Sequence, residues 1–166
     1  VAAYRIYHGP RYLGQRDKFR CGPIALLNLH KWKGKKVTGR DLKHYTWMLG
    51  CSRRHGTAEE NFSRTLGWRP DTVRNRQRIP YRVFRDEINK GKAAVILTKF
   101  PEGGDHAGSW HYYLVIGIGH KIGDTRNGYI AVNYLTSHRT FTLLAWHHMK
   151  WLLKHSVVWF CARKAK

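Results

Sequence analysis

The chain has 166 residues, 42% of them hydrophobic, and carries 31 Lys plus Arg against 10 Asp plus Glu, for a net charge of +21 and a pI near 10.4. That length supports one well-buried core and is short for two ordinary domains, so residues 1–166 are read as a single domain. No apolar stretch approaches the roughly twenty residues that span a bilayer, and Tyr4, Arg5, Tyr7 and His8 interrupt any signal-peptide layout, so no membrane partner is expected.

In chain order, the N-terminal segment leads through Gln15 to Cys21-Gly22-Pro23, which opens an apolar run ending at Asn28. Gly22 permits an unusual backbone beside the thiol, and Pro23 suits a first helical turn, where its missing N–H costs nothing. A helix is therefore predicted over 21–33 with Cys21 at its N-terminus, where free N–H groups and the macrodipole favour thiolate over thiol. Lys31, Lys33, Lys35 and Lys36 form a basic cluster at its end. Further helices are predicted over 39–49, 57–66 and 81–90, the last stopped by Gly91. Between them, Arg53 and Arg54 precede His55-Gly56-Thr57, and the basic segment 69–79, with Arg74, Arg76 and Arg78, reads as a surface loop.

Strands then dominate: 93–99, 111–119, 129–134, a short piece at 139–144, and 156–162, with a helix over 144–153 before the last. Gly123-Asp124 through Asn127-Gly128 is a hairpin signal joining the second strand to the third. Helices first and antiparallel strands afterwards is the α+β pattern, with N-terminal helices packed on a C-terminal antiparallel β-sheet.

Cys21 as a nucleophile needs a base, and the base needs an orienting group. His111 stands at the start of a β-branched and aromatic run, His111 to Ile118, after the loop Pro101 to Asp105. Antiparallel pairing across the hairpin brings Asn133, at the far end of the next strand, beside His111, where it would orient the imidazole. The Gln15 side-chain amide would join the Cys21 backbone N–H as an oxyanion hole.

The order Gln15, Cys21-Gly22-Pro23 on a helix, His111 on a strand and Asn133 on the next resembles the papain-like superfamily. More narrowly, the chain is similar to peptidases related to the double-glycine-leader (bacteriocin-processing) peptidase domain. In that group the helix after Cys-Gly-Pro is followed by a Gly-Thr element and a second helix ending in Gly, here Gly56-Thr57, Ala58 to Leu66 and Gly67. The resemblance covers roughly 13–135. It implies a papain-like cysteine peptidase with Gln15 as oxyanion residue, Cys21 as nucleophile, His111 as general base and acid, and Asn133 as orienting residue, acting on a protein or peptide substrate. Two positions depart from the pattern: Trp110 stands where Gly commonly precedes the His, and Asn133-Tyr134 replaces Asp-Pro.

Cys51 and Cys161 read as small core side chains. Three cysteines cannot all pair, and a nucleophile must stay free, so reduced thiols and an intracellular or virion setting are expected rather than secretion. Cys51 with His55, His106 with His111, and His147-His148 with His155 lack the paired short spacings of zinc sites, and no metal or other cofactor is expected. A peptidase does not need the charge, which favours DNA, RNA or another polyanion as a partner. Lys31, Lys33, Lys35, Lys36, Arg74, Arg76 and Arg78 are the candidate contacts, with Trp32, Trp68, Tyr81 and Phe84 available for stacking. The alternative is a catalytically silent scaffold of the same fold, serving as a basic structural protein that packs with nucleic acid.

Overall fold

The computed structural model describes residues 11–17, 19–66, 72–75, 79–99, 110–119, 127–134 and 141–162, with 72–75 and 141 described by backbone alone. Three helices come first: α1 (Cys21–Trp32), α2 (Gly39–Met48) and α3 (Glu59–Leu66). They are followed by β1 (Thr72–Asn75), α4 (Tyr81–Asn89), β2 (Ala93–Lys99), β3 (Trp110–Gly119), β4 (Gly128–Val132), β5 (Phe141–Ala145), α5 (Trp146–Leu153) and β6 (Ser156–Cys161). The strands form one antiparallel sheet in the order β1-β6-β2-β3-β4-β5. The class is α+β.

Helices cover both faces of that sheet. Along β2, Ala93, Val95 and Leu97 pack with Ala25, Leu26, Leu29 and Trp32 of α1 and Phe62 of α3. The intervening Ala94 and Ile96 pack with Phe84 and Ile88 of α4 and with Met149, Leu152 and Leu153 of α5. The expectation of N-terminal helices on one face is therefore incomplete: α4 and α5 form a second layer. The cause is visible in β2, whose residues are buried from Ala93 to Thr98, because a central strand with two covered faces needs a continuous apolar run rather than alternation.

Local signals account for several boundaries. Gly91 follows the end of α4 with φ 90°, a conformation that stops a helix at little cost only for glycine. At the start of α2 the Asp41 carboxylate accepts from the Thr38 N–H at 2.6 Å and its hydroxyl at 3.1 Å. The loop before α1 is pinned by a buried side chain within the helix. Asn28 accepts from the Leu13 N–H at 2.7 Å and donates to the Leu13 carbonyl at 3.0 Å.

Two further expectations need correction. The segment 69–79 is not a plain surface loop, since β1 lies within it and pairs with β6, setting Arg74 opposite Trp159 at the sheet edge. Basic residues hide this strand from a hydrophobic pattern, and an edge strand tolerates them. The third predicted strand ends early, at Val132, so Asn133 lies one residue beyond β4. Among the described residues no helix is long and apolar enough to cross a membrane.

Burial of acidic hydroxyls and a thiol makes stability fall at high pH. Burial raises Tyr113 and Tyr112 above their ordinary 10.0, and lifts Cys21 from 9.0 to about 11. Each group binds its proton more tightly in the folded chain, so its contribution is complete below pH 9 and is lost as pH rises toward the folded value. The Cys21 shift alone is worth about 3 kcal/mol. Urea unfolding at pH 7, 9 and 11 is expected to show a midpoint that holds and then drops; a constant midpoint would contradict the burial of these groups.

Candidate active site

The first turn of α1 lies close against the element before α3. A Cβ on Gly22 would stand 2.4 Å from Thr57 Oγ1 and 2.7 Å from Thr57 Cβ, so no residue but glycine fits there without displacement. Tyr112 of β3 anchors the same spot, its hydroxyl donating to the Thr57 carbonyl at 3.1 Å. The Gly-Thr element thus sets how deeply Cys21 enters the interior.

Cys21 is the first residue of α1 and is 7% exposed. Asp17 organises the turn before it, one carboxylate oxygen accepting from the N–H groups of Phe19 (3.0 Å) and Arg20 (2.8 Å). The helix N-terminus was expected to lower the thiol pKa, but the structure gives the opposite result. Burial pushes it up to about 11 and neighbouring Cys51 adds to the rise, while the backbone N–H groups of Tyr112, Gly22 and Cys21 oppose it. Desolvation of a buried anion outweighs a few favourable dipoles. The resting thiol is protonated at neutral pH.

Asn133 joins the segments that carry Gln15 and His111. Its φ of 58° is left-handed, a conformation asparagine adopts more readily than most residues. Its carbonyl oxygen lies 2.6 Å from His111 Nε2. A carbonyl can only accept, so Nε2 carries a proton and donates it to this contact. The Asn133 side chain is engaged elsewhere. Its Oδ1 accepts from the Gln15 N–H at 3.2 Å and its Nδ2 donates to Gln15 Oε1 at 3.4 Å. With Oε1 accepting, the Gln15 amide presents its N–H groups as donors. Gln15, His111 and Asn133 are all buried, at 2%, 3% and 1% exposure, so these polar groups are held in fixed positions.

The structure therefore brings Gln15, His111 and Asn133 into one cluster, with one difference from expectation: Asn133 holds the imidazole by its backbone and not by its side chain. Cys21 lies against the strand that carries His111, because the backbone N–H beside its sulfur belongs to Tyr112, the next residue. Strand alternation sets the His111 ring with that of Tyr113, 6.3 Å away, whereas Tyr112 packs with Cys21 on the α1 side.

The candidate nucleic-acid contacts are dispersed. Lys31 donates to the Arg11 carbonyl at 2.6 Å, Lys33 caps the end of α1, and Lys35 and Lys36 are exposed in the turn beyond it. Arg74 is in β1, and Arg76 and Arg78 lie outside the described residues. Of the aromatics proposed for stacking, Trp32 and Phe84 are core residues at 5% and 0% exposure, the Tyr81 hydroxyl accepts from that of Tyr129 at 2.7 Å, and Trp68 lies outside the described residues. Among the described residues the exposed large aromatics are instead Trp47, Trp110, Trp146 and Trp151. Trp146 and Trp151 of α5 stand beside His147, His148 and His155. Among the described residues no group of three His, Cys, Asp or Glu side chains is gathered as metal ligands.

Compared with known proteins, the chain matches no protein-family model and no curated protein.

The Gly22–Thr57 contact yields a direct test. Gly22→Ala is expected to destabilise the fold by about 1–3 kcal/mol through overpacking, with Thr57→Gly recovering part of the loss in the double variant. Urea midpoints of the four proteins measure this; additive losses would show that the two residues do not meet.

Proposed function

We propose that the chain is a papain-like cysteine peptidase that cleaves peptide bonds with Cys21, His111, Asn133 and Gln15. The observation that carries this reading is the convergence of Gln15, His111 and Asn133 from distant parts of the sequence, with His111 Nε2 fixed on the Asn133 carbonyl. The resemblance of the Cys-Gly-Pro and Gly-Thr elements to the bacteriocin-processing peptidase group agrees with it.

In this mechanism His111 Nδ1 removes the Cys21 proton as the substrate arrives, and the sulfur attacks the peptide carbonyl. Gln15 Nε2 and the Cys21 N–H donate to the developing oxyanion, and the Tyr112 N–H steadies the sulfur's charge. Imidazolium returns the proton to the leaving amine as the C–N bond breaks. Water then attacks the thioester, giving a proton to His111, and the acid product leaves with the thiol restored. Because the thiol is held neutral at rest, deprotonation is coupled to substrate binding, unlike a preformed thiolate–imidazolium pair.

One observation favours a second reading. A thiol held near pKa 11, together with a net charge of +21, suits a catalytically silent scaffold whose basic surface binds nucleic acid. Digestion of a denatured protein mixture, with new N-termini mapped by mass spectrometry, separates the two. The peptidase reading expects cleavage that disappears in a folded Cys21→Ala variant and falls about 10²–10³-fold in Gln15→Ala. Cleavage unchanged by Cys21→Ala would overturn it.

A further inference from the structure

A cavity of about 440 Å3 opens beside the site, and its charge is one-sided. Gly14 and Arg16, which flank Gln15, form part of its wall, as does Arg20, the residue before Cys21. Arg11 and Lys31 complete a set of four cations against one carboxylate, Asp17. That carboxylate is already engaged by the Phe19 and Arg20 N–H groups and lies 3.5 Å from Arg20 Nε. Arg20 Nε is itself buried with no hydrogen-bond partner among the described residues. Positive charge in a concave wall attracts an anion more strongly than the same charge spread over a convex surface.

The backbone along this wall indicates what kind of anion fits. Both peptide groups of Leu13 and the Gln15 N–H are bonded inward, by Asn28 and Asn133, while the Arg11 carbonyl accepts from Lys31 at the cavity wall. Gly14 lines the cavity and puts no side chain into it, which leaves room beside the cations for the backbone of a bound peptide. Apolar Leu13, Ile24 and Leu42 also line it, and a low-dielectric wall strengthens charge pairing beside it.

We propose that this cavity binds the acidic side chains of a peptide, with Arg11, Arg16, Arg20 and Lys31 receiving the carboxylates. Resting on the peptidase reading, the consequence is that Cys21 cleaves within or beside Asp- and Glu-rich segments. The binding itself does not depend on catalysis.

The test uses the Cys21→Ala protein and fluorescence anisotropy with three labelled probes: hexaglutamate, hexaserine and a thymidine hexanucleotide. Hexaglutamate should bind, hexaserine should not, and the oligonucleotide should bind more weakly than hexaglutamate. Replacing exposed Arg11 and Arg16 together by Gln should weaken hexaglutamate about tenfold. The same charge removed from α5, on the opposite face of the sheet, by Lys150→Gln with Lys154→Gln should change it about twofold or less. Equal losses in both pairs, absence of hexaglutamate binding, or dependence on the cavity pair by the oligonucleotide rather than the peptide would each overturn the proposal. Selective hexaglutamate binding by a chain that cleaves nothing would retain the site and reject the peptidase, whereas cleavage without acidic preference would do the reverse.

Discussion

The bonds between Gln15 and Asn133 join residues 118 apart in sequence, and the rest of the site depends on them. Asn133 cannot place its carbonyl on His111 unless its own backbone takes the left-handed conformation, and its side chain then has only the N-terminal segment to satisfy it. In return, that segment gains a fixed path past α1. Asn28 fastens Leu13 one step earlier, so the two asparagines act as pegs along one strip of chain. Losing either would leave a buried polar group unpaired, which costs more than the bond contributes when made.

Electrostatics and packing pull the site in different directions. Depth of burial, set by the Gly22–Thr57 approach, excludes water from Cys21 and fixes its geometry, yet the same depth holds its proton on. A buried neutral thiol is cheaper to maintain than a buried thiolate in that setting. On the peptidase reading, charge appears only when a substrate carbonyl is present to disperse it. Among the described residues, basic side chains such as Lys35, Lys36, Arg53 and Arg54 are exposed, outside this interior, where they attract anions without disturbing the core.

Much of this arrangement was legible in the amino-acid order. Cys-Gly-Pro marked the start of α1, the apolar run marked β2, and Gly91 marked the end of α4, because each rests on local stereochemistry. The positions of His111 and Asn133 were legible as neighbours once antiparallel pairing was assumed. Three features were not. The edge strand β1 is too basic to show a pattern, the second helical layer follows only from packing, and the role of the Asn133 backbone depends on one dihedral angle. The rise in the Cys21 pKa was also hidden, since sequence shows the helix N-terminus but not how far the thiol sinks beside it.

The central claim is that Cys21 and His111 act together. The most direct measurement is the rate of Cys21 alkylation by limiting iodoacetamide as a function of pH, read by mass spectrometry in the native chain and in His111→Ala. The account predicts that native Cys21 reacts at neutral pH faster than an isolated thiol raised to about 11 would, because His111 takes its proton during attack, and that His111→Ala loses this advantage. Superimposable profiles in the two proteins would contradict it, leaving Cys21 as a buried thiol of the core.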